Sequence, residues 1–147
     1  MTRMPQVRLL SDGRRLHLQD GPIDLIIEAF GKSESIRAAY AAAAHRFTGL
    51  LDELSGELTS LRARARLEDR PLDGPVARRM QKAVMPFADR TFITPMAAVA
   101  GAVAEEILAA MLEAAELDRA YVNDGGDIAL HLSAGESFTI GLIDRPD

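Results

Sequence analysis

The sequence predicts an α+β fold, an antiparallel sheet packed on helices, and three patterns carry that prediction. Residues 7–27 alternate apolar and polar with period two across two glycine turns. Residues 33–64 and 94–116 place apolar residues at three- and four-residue steps. Residues 120–142 return to period two around a Gly-Gly turn. Strands first, helices next and strands again is the order of an α+β domain, not of alternating βαβ units.

Composition narrows the class. With 147 residues, 48% of them hydrophobic, the chain can bury one core, so residues 1–147 are expected to form a single domain. A net charge of −5 gives no general case for nucleic acid. There are no cysteines, which excludes disulfides, thiolate metal sites, cysteine nucleophiles and a lipidated cysteine. Met1-Thr-Arg-Met-Pro-Gln is not followed by an apolar run and does not read as a signal peptide. The nearly uncharged run from Thr91 to Ala104 reads as too short to span a bilayer. The expectation is a soluble, cytoplasmic protein with no membrane partner.

The elements follow in order. Val7 and Leu9 alternate, Ser11-Asp-Gly turns, Leu16 and Leu18 alternate, Asp20-Gly-Pro turns, and Ile23, Leu25 and Ile27 alternate again. This is a three-stranded antiparallel meander. His17, between two leucines, faces the side away from them, and it is assigned no role. Ser33 opens a long helix to about Arg64, with Ile36, Tyr40, Ala43, Phe47, Leu50, Leu54, Leu58 and Leu61 as its stripe. Gly49 and Gly56 weaken it and mark possible breaks. His45 and Arg46 fall beside the stripe and read as surface groups. From Arg62 to Lys82, seven cations face three acids. Such a run serves as a solvated face or as a rim that attracts phosphates. Pro75 starts a short helix through Val76, Met80 and Val84, and Pro86 ends it.

The next helix start is built differently. Thr94 fits the N-cap and Pro95 the first helical position. Met96, Val99, Val103, Ile107 and Met111 make one apolar face, whereas Ala98, Gly101, Ala102 and Ala109 make another of small residues. A small face allows close approach by a sheet or by a flat ligand, and Gly101 is expected to serve that approach. A helix N-terminus also suits phosphate. Further on, Ala120 and Val122 lead into Asn123-Asp-Gly-Gly-Asp127, and Ile128, Leu130 and Leu132 resume the alternation. Gly125 and Gly126 supply left-handed backbone for a hairpin. The polar residues around them can bond their own turn or a ligand. Phe138, Ile140 and Leu142 read as a final strand.

Thr94-Pro-Met-Ala-Ala-Val-Ala-Gly followed by Val122-Asn-Asp-Gly-Gly-Asp-Ile resembles the double signature of the ApbE-like superfamily, in its uncharacterised branch. The resemblance is sharp over residues 91–143 and loose before them. Better-known relatives are FAD:protein FMN transferases, once called thiamine-biosynthesis lipoproteins. The resemblance implies an ApbE-like fold with a flavin nucleotide, FAD or FMN, in a cleft, and a flavin-binding function with transferase-like activity as one form of it. A non-catalytic binding or assembly protein on the same scaffold is the alternative. The residues it places at the cofactor are Thr94, Met96, Ala97, Ala98, Gly101, Asn123, Gly125, Gly126 and Asp127, and it assigns no catalytic residue. The sequence departs from the pattern at several points. Thr94 stands where the branch has Gly, and Asp124 precedes the paired glycines. Ala100 stands where the transferases carry Lys, and only Glu105 answers their Asp. The family's magnesium ligands lie in a C-terminal segment that these residues do not match, so magnesium would depend on that segment. The resemblance thus implies the N-terminal portion of a longer domain, its open edge completed by a homodimer or by a complementing C-terminal polypeptide.

Overall fold

A computed structural model describes residues 3–145; Met1 and Thr2, the start of the signal-peptide reading, and Asp147, the end of the expected domain, lie outside them. The architecture is α+β, with one five-stranded antiparallel sheet in the order β1-β2-β3-β4-β5. The strands are β1 (Gln6–Leu9), β2 (Leu16–Asp20), β3 (Ile23–Phe30), β4 (Arg119–Asp124) and β5 (Asp127–Leu132). Between β3 and β4 lie five α-helices: α1 (Ser33–Phe47), α2 (Leu50–Gly56), α3 (Leu58–Leu61), α4 (Pro75–Val84) and α5 (Val99–Ala114). Three-residue and four-residue 3₁₀ turns, Met85–Phe87 and Pro95–Ala98, follow α4 and precede α5.

The meander forms because its alternation is strict. Leu16, Leu18, Ile23, Leu25 and Ile27 are all buried on the inner face, where α1 and α5 cover them. Ala120 and Val122 join the same face from β4. Helix α5 supplies the other half of the core through Val103, Ile107 and Met111, each fully buried. By length and composition the Pro95–Ala114 segment would suffice to cross a membrane, with 20 residues and a mean hydropathy of 1.5. The expectation of a run too short to span concerned Thr91 to Ala104, and the helix extends beyond that run through Glu105, Glu106 and Glu113. Its apolar character is nevertheless accounted for by burial between the sheet, α1 and α4.

The long helix expected over residues 33–64 is three helices. Gly49 takes φ 84°, a left-handed conformation that a continuous helix cannot contain, and the chain restarts there as α2. The stripe survives the break: Ala43, Phe47, Leu50, Leu54 and Leu61 are all buried. Arg46 also departs from the surface reading. Its Nε donates to Glu106 at 2.9 Å and its Nη1 to Glu53 at 2.7 Å, while Arg79 Nε donates to Glu106 at 3.0 Å. One half-buried carboxylate thereby ties α1, α4 and α5 together. Burial alone would raise the Glu106 pKa, but the two guanidiniums outweigh it and hold the carboxyl below its ordinary value.

The final strand expected from Phe138 to Leu142 is not a strand. Instead the chain turns onto the outer face of the sheet after β5. Arg119 Nη1 donates to the Ser137 carbonyl at 2.7 Å. The Arg119 guanidinium also lies 4.1 Å from the Phe30 ring centre and 4.8 Å from that of Phe138. Phe138 meets Phe30 and Tyr121 edge-on. This aromatic–cation cluster holds Phe138 over the outer face instead of beside β5, and alternation without a ladder partner does not make a strand.

Candidate functional site

The two stretches singled out in the sequence meet at one end of the sheet. Helix α5 begins beside the β4–β5 turn, and α2 and α3 close the other side. Between them lies a cleft of about 570 Å³. Met96, Val99 and Ala100 form one wall, Leu51, Leu54 and Leu58 the opposite wall, and Ile23 and Asp124 line it from the sheet. The lining is mainly apolar. Ser55, Arg62 and Asp124 supply its polar groups, with Arg62 exposed.

Local sequence explains each wall. Thr94 is extended and Pro95 opens the 3₁₀ turn, as the capping pattern predicts, but the Thr94 hydroxyl makes no capping bond. The turn is closed by the Ala97 N–H on the Thr94 carbonyl at 3.0 Å. It points Met96 into the cleft and the first turn of α5 adds Val99 and Ala100. Ala98 packs away from it, against the small cluster of Ala65, Val84 and Ala88. Ala97 is exposed, and neither Thr94 nor Ala97 lines the cleft. Gly101 does not line it either. A Cβ added at Gly101 would meet nothing within 4 Å, so the expected close approach of a sheet or ligand is absent there. The smallness that counts is that of Ala100.

The turn divides between the two faces of the sheet. Gly125 and Gly126 take φ 61° and 107°, the positive values a two-residue hairpin with a primed turn requires. Asn123 lies on the outer face, in register with Ile26 and Ile128, and its Oδ1 accepts the Gly126 N–H at 2.9 Å. It serves its own turn. Asp124, the next residue, shares the inner face with Leu25 and Asp127, and it reaches the cleft. Asp127 is exposed beside it. Of the nine residues proposed from sequence, the cleft therefore contains Met96. Val99 and Ala100 were missed, and Asp124 and Arg62 were named only among the polar residues of the turn and in the basic run. The signal for Asp124 was present: Ala120 and Val122 face inward, and period two puts Asp124 on their side.

Asp124 is the electrostatic feature of the cleft. Burial pushes its carboxyl up to about 6, and the nearby charges of Asp127 and Asp24 push in the same direction. Nothing opposes them. Three other carboxylates of this sheet are partnered, Asp24 with His17 at 2.7 Å, Glu28 with Tyr121 at 3.1 Å and Asp20 with Arg3 at 2.7 Å, whereas Asp127 is exposed to solvent. The basic run after α3 contributes unevenly. Arg79 is spent on Glu105 and Glu106, and Arg78 Nη1 on the Asp73 carbonyl. Arg64 lies over Phe92, and Arg62 alone of the seven lines the cleft. Among the described residues no group of three or more His, Cys, Asp or Glu is placed to hold a metal ion.

A family model described as "AbpE bacteria" matches residues 7–147. The chain belongs to that family. The match covers nearly the whole chain, helices and all three hairpins included, and it corrects the resemblance to the ApbE-like flavin transferases, because the matching family is AbpE bacteria and not theirs. The physical reason is visible in the two half-motifs that carried the resemblance. A proline-started helix against a sheet calls for Thr-Pro followed by small residues, and a primed two-residue hairpin calls for Asn and paired glycines. Both demands are structural, and in this AbpE bacteria chain both are met structurally. No curated protein matches the chain.

Proposed function

We propose that the chain is a flavin-nucleotide-binding protein, soluble and cytoplasmic, that holds FAD or FMN in the cleft between α2, α3 and the start of α5. One observation carries the reading: an apolar cleft of about 570 Å³ presents a carboxylate, Asp124, and a guanidinium, Arg62, that have no partner among the described residues. That volume lies within the range of about 300–1,000 Å³ usual for small-molecule sites. The donor set suits a flavin. Met96, Leu54 and Leu58 offer surface for the benzenoid part of the ring, and Ala100 leaves room for its flat face. The Asp124 carboxylate accepts a hydrogen bond from the ring imide N–H, and Arg62 pairs with phosphate. An N–H donor on Asp124 also offsets the burial that raises its carboxyl.

The reading is that of a binder: the Ser55 hydroxyl is committed to the Leu51 carbonyl at 2.9 Å, and Met96, Arg62 and Asp124 bind and orient. Titration of the purified chain with FMN and with FAD, followed by flavin fluorescence, tests it. Saturable quenching that weakens with rising salt in wild type, and is weaker but less salt-dependent in Arg62→Ala, supports the site. Equal quenching by riboflavin, which lacks phosphate, would remove Arg62 from it. Release of AMP from FAD on incubation with magnesium would replace the binder reading with an enzyme.

A further inference from the structure

We propose that β5 pairs antiparallel with β5 of a second copy of this chain, about a two-fold axis at Leu130, so that the two sheets become one continuous sheet. The two edges of the sheet are built differently. β1 is four residues long and carries Arg8 in its middle, features that blunt an edge. β5 is six residues long, and it contains no Lys, Arg or Pro. Its backbone is also poised for pairing. Asp124 and Asp127 close a two-residue hairpin, so they form a doubly bonded pair, and Val122–Ala129 and Ala120–His131 alternate with them as bonded pairs. Ile128, Leu130 and Leu132 therefore turn their N–H and C=O groups to the open edge. The same three residues are the exposed apolar ones, at 53%, 48% and 45%.

That coincidence selects a second copy as the occupant. With the axis at Leu130, Leu130 faces its own counterpart, and Ile128 faces Leu132 of the other copy in both directions. Every such pair exchanges both of its backbone hydrogen bonds, and all their side chains lie on one face. Asp127 falls opposite Ser133 and His131 opposite Ala129, so no like charges meet. An isologous contact needs a surface complementary to itself, and this register supplies one.

The test is sedimentation of the 147-residue chain over a dilution series, joined to two variants. Wild type is expected to sediment as a concentration-dependent dimer. Leu130→Lys places two ammonium groups together at the axis and is expected to give monomer with an unchanged far-UV spectrum. Leu130→Cys makes a register-specific probe, because the chain has no other cysteine. A bonded antiparallel pair holds its Cα atoms about 5.5 Å apart, within disulfide reach. Mild oxidation is expected to yield a covalent dimer. Ile128→Cys, whose counterparts would lie about 14 Å apart along the strands, is expected to yield none. Wild type that is monomeric throughout overturns the proposal. So does a dimer that forms no disulfide in Leu130→Cys, or forms it equally in Ile128→Cys. These outcomes hold even if Leu130→Lys does not fold.

Discussion

The two faces of the sheet treat acidic groups in opposite ways. On the outer face, Asp24 bonds His17 and Glu28 accepts from the Tyr121 hydroxyl, so both strand carboxylates of that face have a partner. On the inner face, Asp20 is buried but paired with Arg3, and Asp124 alone faces an apolar cleft with only burial and like charges acting on it. The outer face shows what folding requires of a carboxylate: exposure or a partner. Asp124 has neither in full, and the fold gains nothing from it. A group that costs stability and serves no element is where a binding function is best sought.

Neighbouring residues on the two faces give the sharpest separation. Leu25 is fully buried in the core, and Ile26 beside it is half-buried on the outer face. Leu25→Ala is expected to cost about 2–5 kcal/mol, the range for deleting a buried leucine side chain. Ile26→Ala is expected to cost clearly less, near about 1 kcal/mol, because solvent already reaches it. Urea denaturation of both variants measures the difference. Equal losses would mean that the outer face is covered in solution.

Asp124→Asn comes next in size. The carboxyl is raised in the folded chain, to about 6 from an ordinary 3.8, so between these values the folded state binds more protons than the unfolded one. Stability contributed by the neutral form is therefore lost as pH rises from about 4 to 6, and it stays lost above. The asparagine variant should be more stable than wild type at pH 7 by on the order of 1 kcal/mol, discounted for partial exposure, and no more stable near pH 3.5. Thermal melts across that range check the sign. A variant that is less stable at pH 7 would show that the carboxylate has a stabilising partner.

Asn123→Ala probes the other residue of the pair. It removes the bond to the Gly126 N–H and should cost about 0.5–1.5 kcal/mol with no effect on FMN binding. Lost binding with unchanged stability would return Asn123 to the site. The smallest effect expected is at Gly101. Because a Cβ there meets open space, Gly101→Ala should stabilise α5 by about 0.5–1 kcal/mol, where overpacking would have destabilised it.

Local patterns made much of this fold legible. Alternation through Leu16, Leu18, Leu25 and Ile27 placed the meander, Pro75 and Pro86 bracketed α4, and Gly49 marked the break that separates α1 from α2. What was not legible depended on contacts distant in sequence. Arg46 reads as a surface residue until Glu106, 60 positions away, is brought to it. Phe138 reads as a strand residue until Arg119, Phe30 and Tyr121 hold it over the outer face. The candidate site was half legible. The helix start and the turn were the right stretches, but attention fell on Gly101 and Asn123, which serve helix and hairpin, and passed over Ala100 and Asp124, which line the cleft. The far wall, Leu51 to Leu58, is indistinguishable from core by periodicity alone.

If the cleft lined by Ala100 and Asp124 takes a flavin nucleotide as proposed, filling it with a side chain abolishes binding. Ala100→Trp places an indole in the cleft from a helix position that the core does not use. FMN fluorescence is to be titrated with wild type and with this variant at pH 7, beside thermal melts of both. Wild type is expected to quench saturably, and Ala100→Trp to lose quenching at a comparable melting temperature. Absence of quenching by wild type, or identical quenching by the two proteins, would contradict the proposal.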